Sequence, residues 1–323
     1  MLRKGIGLDI GTTQTTICTV DEGILLKEPS VIAVDVDTNE VLEAGNAAFE
    51  KQKAAPDHVK LVQFSFDEMV RASGFLTAML RIFLRRAIGR SALRPRVMVS
   101  IPCDLTEAQT NALEDAVLAA GVAHVHLLEA PLCAALGVGL DFSSPVGQML
   151  VHIGASRTEA AMIFIGDMVT HVTVPVGGNA FDSAIMRYLR DRHGLFVGRR
   201  TAEQVKIRIG KLIPDKDKKL EVRGRSVADR SPRSVTICEP EMLVAMKDPM
   251  IEVLDAVMSV IELTGPDLKA DIAKNGIVLT GSGVLGGMDQ FLADVIGVRA
   301  KCASNAATAA AEGAAIALDR LGK

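Results

Sequence analysis

Gly5-Ile-Gly-Leu-Asp-Ile-Gly-Thr-Thr-Gln-Thr-Thr-Ile-Cys-Thr-Val20 is the stretch on which the reading of this chain turns. Residues Gly5–Leu8 and Thr16–Val20 have the apolar and β-branched content of two short strands. Between them Asp9–Thr15 is polar and bends at Gly11, so the segment is a β-hairpin whose tip offers hydroxyls and backbone N–H groups. A carboxylate at the end of such a strand can hold a cation through water, and the amides that follow can cradle phosphate oxygens. An ordinary surface hairpin, with Asp9 bonding its own turn, has the same pattern.

The pattern starts again at Gly147. Met149–Ile153, Glu159–Ile165 and Met168–Val174 read as three strands, with the turn Gly154-Ala-Ser-Arg-Thr158 between the first two. A doubled strand-turn-strand unit, each copy running on into helices, implies an α/β protein of two similar lobes facing across a cleft. The hinge is expected near Asp141–Val146, where Ser143-Ser-Pro145 interrupts the pattern. The lobes are then 1–145 and 146–323. Residues 1–32 and 69–145 make the first large subdomain and 33–68 a small one. Residues 146–180 and 246–311 make the second large subdomain and 181–245 a small one. The Ala-rich final helix, 308–321, is free to return to the first lobe.

The remaining elements follow from periodicity and breakers. Ser30–Val36 and Val41–Ala44 read as strands around an Asp37-Thr-Asn39 turn, and Ala47–Ala55 as a helix. Phe75–Ile88 puts Leu76, Leu80, Phe83 and Leu84 on one helical face and stops at Gly89. Arg96–Ile101 is a strand. Thr106 and Gln109 form a capping box for a helix to Ala120. Val125–Leu128 is a short strand, and Pro131–Leu140 is a helix of small residues suited to close packing. Ala180–His193 and Ala202–Leu212 read as helices, and Asp215–Lys219 as a solvated loop. Leu220–Val222 and Ser234–Ile237 are expected to pair. Glu241–Leu263 reads as one long helix, Gly276–Thr280 as a buried strand and Met288–Ile296 as a helix.

Composition narrows the function classes. The 323 residues are 49% apolar with 3% aromatics and no Trp, so the core is aliphatic, as suits parallel strands covered on both faces. A net charge of −3 gives no electrostatic reason to expect nucleic acid. The five cysteines are far apart with no C-x-x-C pair, which argues against a zinc or redox motif. No apolar run reaches spanning length, and Met1–Lys4 passes straight into a strand without a leader, so a cytoplasmic protein is expected.

Two further features bear on chemistry. Leu279-Thr-Gly-Ser-Gly-Val284 follows an apolar strand, and its glycines let backbone approach a ligand closely. Glu203 and Lys206 share a helix face, either reaching a nucleoside or forming a plain i,i+3 ion pair. Each signal is weak alone.

Their order and spacing resemble the MreB family of bacterial actin-like proteins, nearly from end to end. The resemblance is carried by Met1–Thr12, by Gly23-Ile-Leu-Leu-Lys-Glu-Pro-Ser-Val31, by Leu128-Glu-Ala-Pro-Leu-Cys-Ala-Ala135, by Arg200-Thr-Ala-Glu-Gln-Val-Lys-Ile207 and by Gly276-Ile-Val-Leu-Thr-Gly281. It implies the actin-like ATPase fold, a duplicated ribonuclease H-like core shared with heat-shock chaperones and sugar kinases. It also implies ATP or ADP with magnesium in the interlobe cleft, and filaments at the inner face of the membrane that organise wall synthesis and cell shape. By motif, Asp9, Gly11, Thr12, Thr13 and Gln14 form the first phosphate loop, with Asp9 holding magnesium through water. Gly154, Ala155, Ser156, Arg157 and Thr158 form the second. Glu203 and Lys206 face the adenosine, and Gly281, Ser282, Gly283 and Val284 close over it.

Three departures touch the chemistry. Where the family reads Asp-x-Gly-Gly-Gly-Thr, this chain has His152-Ile-Gly-Ala-Ser-Arg157. Where it reads Glu-Glu-Pro, with the second glutamate positioning the attacking water, this chain has Glu129-Ala-Pro131. Asn179 stands in Gly177-Gly-Asn, where an aspartate is usual. All remove negative charge, and Arg157 adds a cation that either contacts phosphate directly and lessens the need for magnesium, or points to solvent beside a cleft that holds no nucleotide. Ala130 can neither orient water nor accept its proton, so hydrolysis is expected to be weak, with adjacent Glu129 the sole remaining candidate for that role.

Partners expected from the resemblance are other copies of the chain in a filament, other MreB-like proteins and wall-synthesis membrane proteins. The loop Gly89–Pro95 carries Leu93 among Arg90 and Arg94, a basic rim around one apolar tip that suits either weak docking on anionic lipid or a plain solvated loop. Two other readings stand beside the filament: a working ATPase or kinase, and a degenerate paralogue that regulates a true filament protein without polymerising.

Overall fold

The structure is a computed structural model and describes residues 5–66, 68, 71–89 and 94–322. In chain order the elements begin with β1 (Gly5–Ile10), β2 (Gln14–Thr19), β3 (Gly23–Pro29), β4 (Val31–Asp35), β5 (Val41–Ala44), α1 (Asn46–Ala54) and β6 (Val59–Gln63). Then come α2 (Ser73–Ile88), β7 (Arg96–Ile101), α3 (Glu107–Ala119), β8 (His124–Glu129) and α4 (Ala130–Gly137). The pattern resumes with β9 (Gln148–Ile153), β10 (Thr158–Phe164), β11 (Asp167–Val174), α5 (Gly178–His193), β12 (Leu195–Phe196) and α6 (Arg199–Ile209). It closes with β13 (Lys219–Ser226), β14 (Pro232–Cys238), α7 (Glu239–Ala245), α8 (Lys247–Leu263), α9 (Pro266–Asn275), β15 (Ile277–Thr280), α10 (Met288–Ile296), β16 (Ala300–Cys302) and α11 (Ala309–Leu321).

The chain divides into two units, Met1–Asp141 with Thr308–Lys323, and Phe142–Ala307. In the first unit a five-stranded sheet runs β3-β2-β1-β7-β8, and a small sheet runs β5-β4-β6. In the second unit the corresponding sheets run β11-β10-β9-β15-β16 and β12-β13-β14. Each large sheet is antiparallel through its meander and parallel where the later strands join.

The core of the first unit lies between this sheet and α2 and α3, where Leu8, Leu80, Phe83, Val99 and Leu113 are fully buried. On α2 the buried residues fall at helical spacing, so one apolar stripe faces the sheet. The Thr106 and Gln109 capping box of α3 forms as the spacing predicts, the Gln109 amide donating to Thr106 Oγ1 at 3.3 Å. The final helix α11 belongs to this unit and packs on α4 and β1 at backbone distance. A Cβ on Gly313 would run into the Cys133 carbonyl, one on Gly137 into Ala309 O, and one on Gly7 into Ala311 O. The alanines and glycines of these segments are therefore a condition of the packing, and Cys18 Sγ donates to Ala311 O at 2.9 Å within it.

In the core of the second unit α8 packs on β10 and β11, and α5 packs on α8 and α6, so that Phe181, Ile185, Val205, Val253 and Val257 join Met149, Val151 and Met162 in one buried cluster. The helix read as Glu241–Leu263 is two helices. The ring of Pro249 cannot coexist with a continuous hydrogen-bond ladder through Ala245, and the chain restarts at Met246–Lys247. Leu220 pairs with Ile237 and Val222 with Val235, in the hairpin expected there.

Candidate functional site

Two turns occupy equivalent places in the two large sheets. In the first unit the Gly11 amide donates to Gln14 O at 3.0 Å, closing the turn between β1 and β2. In the second the Gly154 amide donates to Arg157 O at 2.8 Å between β9 and β10. The first turn is pinned from outside. Ser30 Oγ donates to Gly11 O at 2.6 Å, the Ser30 amide to Thr13 O at 3.0 Å, and Gln63 Nε2 to Thr12 O at 3.0 Å. Asp9 sits two residues before the glycine, beside Thr16 on β2 and Ser100 on β7. Burial pushes its carboxyl up to about 6, and the Ser100 hydroxyl pulls in the opposite direction.

Glu129 ends β8 and stands at the N-cap of α4 without donating or accepting a side-chain capping bond. Ala130 opens the helix and is 6% exposed. The loop carrying Leu93 and Arg90 lies outside the described residues, and Arg94 is exposed just before β7.

In the second unit three glycine-bearing loops and one lysine come together. The Gly178 amide donates to Gly154 O at 3.0 Å, the Asn179 amide to Ala155 O at 2.8 Å, and the Gly283 amide to Ile153 O at 2.8 Å. A Cβ on Gly177 or on Gly283 would collide with Gly154 O, so both positions require the bare backbone. Gly281 has φ +96°, a conformation suited to glycine, and its amide donates to Ala306 O at 2.7 Å. Ser282 is exposed and Val284 half-buried beside them. Thr158 turns inward, its hydroxyl donating to Val176 O at 2.7 Å.

Lys206 does not pair with Glu203. Its ammonium donates to Gly178 O at 2.9 Å and lies 2.8 Å from Asp182 Oδ1. Asp182 is buried on α5; desolvation raises its pKa, and the Lys206 contact partly offsets this. Asp182 had no signal in the sequence, since nothing in the spacing of α5 and α6 tells that residues 182 and 206 meet. Glu203 lies half-buried one turn away on α6.

His152 takes the place in the second turn that Asp9 holds in the first. Its Nδ1 is 3.1 Å from Thr280 Oγ1, and burial lowers its pKa to about 4, so the ring is neutral at pH 7. Among the described residues no three His, Cys, Asp or Glu converge into a metal cage. One carboxylate at Asp9, with hydroxyls near it, fits a magnesium ion that keeps most of its waters and does not fit an all-protein site.

Two doubled sheets, each carrying a closed glycine turn between its first two strands, define an actin-like α/β protein. The chain matches the MreB/Mbl protein family over residues 3–323 and belongs to it, among the actin-like cytoskeletal proteins of bacteria. It is 33% identical to the cell shape-determining protein Mbl of Bacillus cereus, over 99% of this chain and 97% of that one. It is 34% identical to the cell shape-determining protein MreB of Escherichia coli, over 99% and 95%. Among solved structures it resembles MreB5 of Spiroplasma citri bound to ADP, with TM-score 0.89, 28% identity, and 99% and 97% of the two chains covered. A MamK double helical filament, 16% identical with TM-score 0.80 and 98% and 99% coverage, shares the fold.

Proposed function

We propose that this protein binds an adenine nucleotide and assembles into filaments that serve cell shape or intracellular scaffolding, with slow hydrolysis. The observation that carries the reading is the convergence of Gly154, Gly177 and Gly283 at backbone contact, with Lys206 holding the Gly178 carbonyl. Such a cradle leaves no room for a side chain at Gly177 or Gly283, and among the described residues the Ala155 amide has no backbone partner outside regular secondary structure, as suits a phosphate-facing loop. The structurally similar MreB5 of Spiroplasma citri, matched over 97% of its chain or more, was solved with ADP and with AMPPNP.

In this reading Gly154–Thr158 meet phosphate, Gly281–Val284 and Glu203 meet the nucleoside, and Lys206 shapes the site through Gly178 and Asp182. Gly11–Gln14 form the first unit's phosphate-facing turn, with Asp9 holding magnesium through water. Magnesium, when bound, supplies charge neutralisation of the phosphates. Arg157 is proposed to share that task, so Arg157→Ala should weaken nucleotide binding more in EDTA than in magnesium. Ala130 offers water no acceptor, and loss of one such group costs ~10²–10⁴ in rate.

Assembly is tested by light scattering and pelleting. Scattering that rises on adding ATP, and pelleting above a critical concentration, are expected. A chain that binds nucleotide yet stays monomeric at every concentration would be a regulator of another filament protein, a reading the altered residues His152 and Ala130 also favour. Contact with other MreB-like proteins, with wall-synthesis proteins and with the inner face of the membrane belongs to the same proposal.

A further inference from the structure

Glu239, the first residue of α7, is a fully buried carboxylate. An acid in the first turn suits the helix dipole, but that role is filled as well by a side chain left in water. Its Oε2 accepts the Asp215 amide at 2.7 Å. Its Oε1 accepts no hydrogen bond among the described residues, and the ammonium groups of Lys218 and Lys211 stand 3.3 and 3.6 Å from it. Both lysine side chains are half-exposed. Taking a carboxylate out of water is costly unless opposite charges come with it. The burial of Glu239 is therefore conditional on residues 211–218 lying over it.

Those residues form a strap between α6 and β13, and the near end of the strap is built onto the loop that follows β15. Lys211 pairs with Gly286 in an isolated parallel bridge, and the Leu212 amide donates to Gly286 O at 2.9 Å. A Cβ on Gly286 would stand 3.2 Å from Lys211 Cγ, and one on Gly287 3.0 Å from Ile213 Cγ1, so the strap lies against bare backbone at both positions. The Gly283 amide fixes the same loop to Ile153 O. At the far end the Glu239 amide donates to Lys218 O at 3.3 Å. The two ends of the strap, Lys211 and Lys218, thus converge on one carboxylate oxygen.

We infer that Glu239 is a positioning residue for the nucleotide: it closes the strap 211–218, and the closed strap holds the loop 281–287 in the form that receives a nucleoside. This rests on the reading of Gly281, Ser282, Gly283 and Val284 as nucleoside-facing. Glu239 touches no ligand and acts through Lys211 and Gly286. Coupling is reciprocal, so a nucleotide that needs this form of the loop also favours the buried carboxylate. A role confined to α7 would stabilise the helix and leave the loop as it is.

The test is titration of the full chain with ATP and magnesium, paired with hydrogen exchange of the ligand-free protein. Glu239→Gln keeps an acceptor for the Asp215 amide but offers the lysines no charge. Well below its melting temperature it should bind ATP at least about fivefold more weakly. Its amides in 211–213 and 281–287 should exchange faster, while those of α5 and α8 exchange as before. Adding Lys211→Met, which keeps the stem over Gly286, should weaken binding no further, because both changes break one contact. Lys218→Met probes the same oxygen if Glu239→Gln folds poorly, and should move both readouts in the same direction. Lys216→Met, exposed on the strap, should move neither. A wild-type chain that binds no ATP overturns the nucleotide reading and the inference with it. A wild type that binds ATP, with Glu239→Gln and Lys218→Met matching it in affinity and exchange, overturns the assignment of Glu239 alone. A lower melting temperature with both readouts unchanged does the same, and leaves Glu239 a residue of the helix only.

Discussion

Asp9 and His152 hold the same position in two equivalent sheets. Each precedes its turn glycine by two residues, each faces the antiparallel strand at the same register, and each has a hydroxyl residue on the parallel neighbour, Ser100 or Thr280. One is an acid driven toward its protonated form and the other a base driven toward its neutral form, both by burial. At pH 7 the His152 ring is therefore neutral while Asp9, with a pKa of about 6, is still mostly ionised, so of the two residues Asp9 alone carries a charge.

For Asp9 this has a pH signature. Its folded pKa is about 6 against an ordinary 3.8, so the cost of ionising it in the fold is absent well below pH 4, grows between about 4 and 6, and is complete above 6. Asp9→Asn should therefore stabilise the ligand-free protein at pH 8 by ~1–2 kcal/mol and leave it nearly unchanged at pH 3.8. Urea denaturation at the two pH values measures this. An equal gain at both would assign the effect to packing.

His152 has the opposite dependence. Its folded pKa of about 4 lies below the ordinary 6.5, so its contribution is complete above pH 6.5 and is lost as pH falls through 4. His152→Asn should flatten the fall in melting temperature between those values. If the variant and the wild type fall in parallel, another group governs acid unfolding.

Lys206 and Asp182 form a buried pair, so removing one partner strands the other. Lys206→Ala should cost about 3–5 kcal/mol, whereas Lys206→Met with Asp182→Leu should recover much of it. Chemical denaturation of the single and double variants decides this. A double variant as unstable as the single would mean that the Gly178 carbonyl, not the carboxylate, is the essential partner.

Ala130→Glu restores an acceptor at the first residue of α4, where a negative charge also suits the helix N-terminus. Hydrolysis measured by phosphate release should rise by roughly ten- to a hundredfold. An unchanged rate in protein that still binds nucleotide would show that some other group limits turnover.

Much of this fold was legible in the chain, because its signals are local. The second meander, Met149–Val174, is a run of apolar strands broken by Gly154 and Gly166, and all three strands form with nearly the expected ends. The strand Gly23–Pro29 went unread because Lys27 and Glu28 break its apolar alternation, yet it is held by pairing with β2. The strands Val59–Gln63, Leu195–Phe196 and Ala300–Cys302 are short pieces fixed by their sheet partners, and α9 begins at a Gly265-Pro266 step that reads as a turn. At the site, both glycine turns could be read from sequence, but the diversion of Lys206 from Glu203 to Asp182 could not.

Isothermal titration of the purified chain with ATP and magnesium bears most directly on all of this. One saturable site, abolished by Gly283→Val in protein that keeps its fold by circular dichroism, is expected. Heat indistinguishable from dilution, in wild-type protein that melts cooperatively, would contradict the account and leave an actin-like scaffold without a nucleotide.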